Sequence, residues 1–220
     1  MIPLRSSERT YSTAVVTLVV IALNVLVFLH EITLDPVELN RFILHYGLVP
    51  DRLHAYQLFT SMFIHGGWLH ILGNMWFLWV FGRGVEDAIG HTRYLIFYLV
   101  CGVASALANV LATPFSPVPT VGASGAIAGV MGAYLIKFPR ARIVTLVPIV
   151  VFLTTLDIPA AFLLLYWFAI QFFNGFGSIG GGSQVARGDV AWFAHIGGFL
   201  AGILLIMAMP TKQRYRYYPS

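Results

Sequence analysis

The chain has 220 residues, 58% of them hydrophobic and 10% charged, with a mean hydropathy of +0.80 and a formal net charge of +4. That balance excludes an ordinary soluble domain, and the lone Cys101 excludes an intramolecular disulfide. The positive charge does not point to nucleic acid either, because no basic patch carries interleaved exposed aromatics.

The first apolar stretch, about 13–30, lacks an A-x-A-like cleavage site and reads as a true membrane span. Five more follow at about 68–82, 94–112, 123–138, 159–176 and 191–209. These six predict one membrane domain over 1–220, with a core of about 13–209 and short tails at 1–12 and 210–220. An even number of spans puts both tails on one side. Arg5, Arg9, Arg83, Arg93, Lys137, Arg140, Arg142, Lys212, Arg214 and Arg216 fall on that side, and only Arg41, Arg52 and Arg187 on the other. Ten cations against three make the tails cytoplasmic by the positive-inside rule. The stretch 143–156, about 14 residues interrupted by Pro148, is short for a span and reads as interfacial or re-entrant. A full span there would turn Lys212, Arg214 and Arg216 outward, against the charge bias.

Polar groups inside the spans are costly in hydrocarbon, which makes them functional candidates. Ser124 lies 13 residues before Lys137, and His70 lies 13 before Arg83. At about 1.5 Å per helical residue, each sits roughly 20 Å above the cytoplasmic boundary. His195 lies 17 residues before Lys212, and the helix breaks at Pro210. It therefore sits about 25 Å up at most. In a hydrocarbon core about 30 Å thick, all three reach one depth near the outer surface. A serine and a histidine at matching depth suggest a nucleophile and its base. Asn74, four residues after His70, shares its helix face. That pair reads as polar glue between helices or, beside Ser124 and His195, as donors to a developing oxyanion.

The segment from Thr113 to Thr120 holds three prolines and cannot be helical. Gly122 then lets the backbone turn sharply into a helix that begins near Ser124. The first amides of that helix lie unpaired at its positive end, where the Ser124 N–H can stabilise an anion. Gly125, Gly129 and Gly132 line the serine helix, and Gly198 and Gly202 follow His195. Such small faces allow close backbone approach, so the two helices can touch.

These motifs resemble those of the rhomboid family of intramembrane serine proteases. His70-Ile71-Leu72-Gly73-Asn74 resembles the family's H-x-x-x-N, and Gly122-Ala123-Ser124-Gly125 its G-x-S-G. Ala194-His195-Ile196-Gly197-Gly198, with Gly202, resembles its final-helix A-H-x-x-G-x-x-x-G. The similarity covers all six spans in order. It implies an all-α polytopic membrane protein, a six-transmembrane-helix bundle with a partly buried external loop after the first helix. It implies Ser124 as nucleophile and His195 as general base and then acid. The Ser124 amide, His70 and Asn74 would form the oxyanion hole, supported by Gly122, Gly125, His65, Gly198 and Gly202. His65 would be structural, and Glu86 a structural acid in the cytoplasmic turn. Gly175 to Gly188 would be a mobile cap and the 159–176 helix a side gate for substrate. The implied partners are transmembrane protein substrates in the lipid bilayer, cut after a small residue in a helix-weakened segment, with no cofactor, metal or nucleic acid. The compact chain suggests a prokaryotic cytoplasmic membrane.

Two positions depart from the family pattern. Tyr56-Gln57 stand where Trp-Arg is frequent in the first external loop, and Ala128 stands where many members carry an aromatic that packs on the catalytic imidazole. Other intramembrane chemistries lack their residues: H-E-x-x-H is absent, and Asp157 is the only candidate for an aspartyl site. His65 and His70 are five residues apart, a poor spacing for a shared metal. His30, His45, His54 and His91 fall at span ends or in loops and read as structural. Two rivals stand beside a protease. An inactive relative that binds membrane clients would usually lose Ser or His, and this chain keeps both. A small transporter lined by His70, Asn74 and His195 gives no reason for the Gly-Ala-Ser-Gly turn.

Overall fold

Apolar runs of this length bury themselves against one another or face lipid, and the breaks in them decide where helices stop. The computed structural model describes residues 1–149, 152–180 and 191–212, and it is mostly helical. Six long helices carry the fold: α1 (Val15–Glu31), α4 (Trp68–Ile89), α5 (His91–Ala112), α6 (Ser124–Lys137), α7 (Ala160–Gly180) and α8 (Trp192–Ala208). They fall on the six expected stretches, with α4 running further than 68–82. Two of them, at His91–Ala112 and Ala160–Gly177, are long and apolar enough to cross a membrane by length and composition. Val15–Glu31, Ser124–Lys137 and Trp192–Ala208 are shorter and apolar. Large apolar side chains such as Leu26, Leu69, Leu111, Phe173 and Leu204 point away from the core.

Between α1 and α4, residues 32–67 form short α2 (Pro36–Tyr46) and α3 (Gln57–Thr60) with single 3-10 turns. Asp35 and Glu38 close a capping box on α2. This loop is partly buried, as expected: Leu48, Val49, Gln57, Met62, Ile64 and His65 are all inside. Gln57 pins it, its Nε2 donating to the His45 carbonyl and its Oε1 accepting from the His54 amide, both at 3.1 Å. Both partners lie in the same loop, so Gln57 braces the loop internally.

α6 lies at the centre, buried from Gly125 to Tyr134 and packed on α4, α5 and α8. At the opposite end of the bundle from the α1–α4 loop, Glu86 is fully buried and accepts from the Val16 and Thr17 amides at 2.8 Å and the Thr17 hydroxyl at 2.6 Å. It thereby satisfies amides at the start of α1, which has no side-chain cap of its own. His91 Nδ1 lies 2.6 Å from the same carboxylate. Lys137 Nζ donates to Thr211 at 2.7 Å and Lys212 Nζ lies 3.5 Å from Asp87, so these cations gather at one end. Arg187, Arg214, Arg216 and residues 181–190 of the expected cap lie outside the described residues.

The all-α expectation needs one correction. The described residues of 143–156 are strands and not a helical span: β2 (Arg142–Ile149) and β3 (Phe152–Pro159) pair antiparallel from Arg142↔Pro159 onward. The expected tail at 1–12 supplies the third strand, β1 (Ile2–Ser6), giving the order β1-β2-β3. β-Branched residues dominate the hairpin, and Ile143 and Thr145 alternate inward, which suits a pleated surface better than a helix. Pro148 lies beyond Leu146, the last β1 partner, where only two strands remain.

Candidate active site

The two glycine faces bring α6 and α8 into backbone contact. A Cβ on Gly198 would lie 2.0 Å from the Gly125 carbonyl oxygen, and one on Gly202 would lie 2.0 Å from that of Gly129. Only hydrogen fits at these positions, and the approach carries the side chains flanking them together. Ser124 Oγ lies 2.8 Å from His195 Nε2 across this seam. His195 is buried, and Ser124 is half-buried.

The turn into α6 is set by Gly122, whose φ of 117° lies in the region that L side chains avoid. Its amide donates to the Ser61 carbonyl at 2.9 Å. Leu48 and Thr120 exchange backbone hydrogen bonds of 3.0 and 2.8 Å, tying the α1–α4 loop to the segment before the serine. Ser124 is the first residue of α6, so its N–H belongs to a turn with no intrahelical acceptor.

His70 and Asn74 reach the same turn from α4. A Cβ on Gly122 would meet His70 Nε2 at 2.6 Å and Asn74 Nδ2 at 3.5 Å, so both nitrogens face the backbone two residues before Ser124. The Gly66 amide donates to His70 Nδ1 at 3.3 Å, which leaves the proton of the neutral ring on Nε2. Asn74 Nδ2 is buried with no partner among the described residues. An unpaired buried donor carries an uncompensated desolvation cost, and here it faces the serine turn. His65 is buried against the His70 ring, 5.1 Å between centroids, and its amide donates to the Glu31 carboxylate at 3.2 Å. A cavity of about 20 Å³ beside Ser124, lined by Ser61, Ser105, Thr120 and Gly122, has room for a water.

Two residues here were not singled out from the sequence. Gln171 on α7 is buried, with Oε1 2.7 Å from His195 Nδ1. Trp167, one helical turn earlier, has its ring 5.7 Å from the imidazole and tilted by 38°. Gln171 is one of two amides in the apolar run 160–177, with Asn174, and spacing along the chain does not say which of them is turned inward; the fold buries Gln171 and leaves Asn174 exposed. Trp167 had no signal among the many aromatics of α7. Ala128 is fully buried within α6. His30, His45 and His54 sit in loop aromatic clusters away from this group, His54 stacked on Tyr56. Gly175 of the expected cap packs on Trp192 and Ile196 at the start of α8.

An alcohol within hydrogen-bond reach of an imidazole, beside a free helix-start amide and two further donors, has the parts for nucleophilic acyl transfer. Comparison with known proteins gives the family. The family model described as Rhomboid domain matches residues 52–211, more than half of the chain. The rhomboid protease GluP of Bacillus subtilis is 40% identical over 80 residues, 36% of this chain and 15% of that protein. RHOMBOID-like protein 5 of Arabidopsis thaliana is 29% identical over 171 residues, 74% of this chain and 46% of that protein. Presenilin-associated rhomboid-like protein A, mitochondrial, of Danio rerio is 30% identical over 156 residues, 65% of this chain and 39% of that protein. The chain thus spans less than half the length of each of these relatives, which come from a bacterium, a plant and a fish.

Proposed function

The chain belongs to the rhomboid family of integral membrane proteins, and on that premise we propose that it is an intramembrane serine endopeptidase. It cleaves peptide bonds in or near transmembrane segments of other membrane proteins. The whole chain acts as one domain whose six long helices each cross the bilayer, with both termini on the cation-rich, cytoplasmic side. The observation that carries this reading is the 2.8 Å contact between Ser124 Oγ and His195 Nε2 beside the start of α6.

In the mechanism, Ser124 Oγ attacks the scissile carbonyl while His195 Nε2 takes its proton. Negative charge develops on the carbonyl oxygen and is met by the Ser124 amide, His70 Nε2–H and Asn74 Nδ2–H. The C–N bond then breaks as His195 returns the proton to the leaving amine. Water attacks the acyl-enzyme with His195 again as base, freeing Ser124 and the acid product. Bulk water is scarce at this depth, and the small cavity beside Ser124, where Ser61, Ser105 and Thr120 interrupt a largely apolar lining, supports its supply. By the family's pattern, the residue before the scissile bond is small.

The test needs no known substrate. Purified protein in detergent, treated with a fluorescent fluorophosphonate, should label, and both Ser124→Ala and His195→Ala should lose the label. A folded wild type that stays unlabelled, and that cuts no transmembrane substrate, would overturn the protease in favour of a client-binding relative. Flux across vesicles that survives Ser124→Ala would instead point to a transporter.

A further inference from the structure

A serine–histidine pair leaves one ring nitrogen of the imidazole unassigned. To accept the Ser124 proton, Nε2 must be bare, so the single proton of the neutral ring must sit on Nδ1. A third group that accepts from Nδ1–H would hold both tautomer and ring orientation. In hydrocarbon a carboxylate in that role brings the cost of a buried charge, whereas an amide carbonyl does not.

The geometry points to α7 as the source of that control: we propose that Gln171 and Trp167 are positioning residues that orient His195 for proton transfer. The proposal rests on the protease reading above and deepens it. Gln171 Oε1 lies 2.7 Å from Nδ1 and accepts its proton. Trp167 lays its ring against the imidazole at 5.7 Å between centroids. The two are four residues apart and so occupy one face of α7, stacked by about one helical turn. That face is the buried one, running through Leu163, Leu164, Gln171 and Gly175. The serine helix offers only Ala128 where an aromatic would otherwise reach the imidazole, so the packing partner comes from a different helix.

Gln171 could instead be polar glue, tying α7 to α8 with no bearing on the reaction. Two observations favour orientation. Its one acceptor contact among the described residues falls on the nitrogen whose protonation decides whether His195 is a base. And α7 already docks on α8 without it, through Phe168 stacked on Phe199 at 4.7 Å and Gly175 against Trp192 and Ile196. Moving α7 away from α8 would break both positioning contacts together. The base is then aligned only while α7 lies against α8.

The experiment compares wild type, Gln171→Leu, Gln171→Met and Trp167→Leu in detergent, each checked for folding by thermal unfolding. Nitrogen-15 spectra of the histidine rings, with His195→Ala as the assignment control, report the tautomer without any reaction. Wild type should show His195 protonated on Nδ1, and Gln171→Leu should shift protons to Nε2. The fluorophosphonate labelling rate should fall about 10- to 100-fold in Gln171→Leu, part of the ~10²–10⁴ that a positioned general base supplies. Trp167→Leu should lower the rate with the tautomer kept. Gln171→Met, which keeps the length of the side chain without its acceptor, should match Gln171→Leu in both readings.

An unchanged tautomer and an unchanged labelling rate in Gln171→Leu would overturn the proposal. Should that variant fail to fold, an unchanged tautomer and labelling rate in Gln171→Met overturn it equally. Wild type that never labels, with a tautomer that still depends on Gln171, would sink the protease reading and leave the contact standing.

Discussion

Asn74 is held at a cost that its place in the helix does not explain. Its Nδ2 is buried and unpartnered, which at an ordinary packing position costs about 1–3 kcal/mol. A leucine of similar size would remove that cost and keep the packing. Asn74→Leu should therefore leave the melting temperature unchanged or raised, while the labelling rate of Ser124 falls by roughly 10²–10³, the usual loss for one oxyanion donor. A parallel loss of stability and rate would mark Asn74 as structural. His65 is the contrasting case. Its backbone amide donates to Glu31, and its ring, whose two nitrogens are buried without a partner among the described residues, packs on the His70 ring, so its part is to hold His70.

Among the elements, the α6–α8 seam carries the most demanding geometry. Gly198→Val would drive a side chain into the Gly125 carbonyl, where even a Cβ comes to 2.0 Å. Overpacking of this kind costs about 1–3 kcal/mol or more, and it would separate Ser124 from His195. Gly73→Ala on α4 is the control, since a Cβ there meets nothing within 4 Å. The first should lower the melting temperature and abolish labelling, and the second should do neither. The sheet depends on a different device. Glu8, just past β1, is half-buried with Ser6 Oγ donating to it at 2.7 Å and Tyr134 OH against it. Burial, opposed by the Ser6 hydrogen bond and by Arg83, lifts its carboxyl from 4.5 to about 7. Between these values the folded chain holds a proton that the unfolded chain has released. The stability of the neutral form is fully present below about 4.5 and is lost as pH rises through about 7. Amide exchange in Ile2–Ser6 should speed up as pH crosses that range by more than base catalysis accounts for, and Glu8→Gln should remove the excess.

For the molecule as a whole, the decisive quantity is how many helices cross the bilayer. Two long apolar helices satisfy a length and composition criterion, and α4 carries Arg83, Glu86 and Asp87 in its last turns. Those turns accept from Tyr11, Ser12 and the start of α1, so α4 is longer than the membrane part of it needs to be. Six crossings predict opposite sidedness for two exposed arginines, Arg41 on α2 and Arg93 on α5. With the buried Cys101 replaced by serine, Arg41→Cys should react with an impermeant maleimide from outside in sealed cells or oriented vesicles, and Arg93→Cys only after permeabilisation. The same sidedness for both would overturn the six-span arrangement.

Much of this was legible in the chain itself, because hydrophobic length and local turn chemistry are properties of neighbouring residues. Six apolar stretches, the helix start at Ser124 after a proline-rich segment, and the glycine faces at 125, 129, 198 and 202 each follow from short-range pattern. Depth counting already brought Ser124, His70 and His195 to one level, because helical rise is constant. What depended on residues far apart waited for the tertiary structure. The sheet joins 2–6 to 142–149, and β2 reads as an apolar run until β1 is beside it. Glu86 caps α1 from 69 residues away. Gln171 and Trp167 meet His195 only because α7 docks on α8, and no spacing along the chain fixes which face of one helix turns toward another.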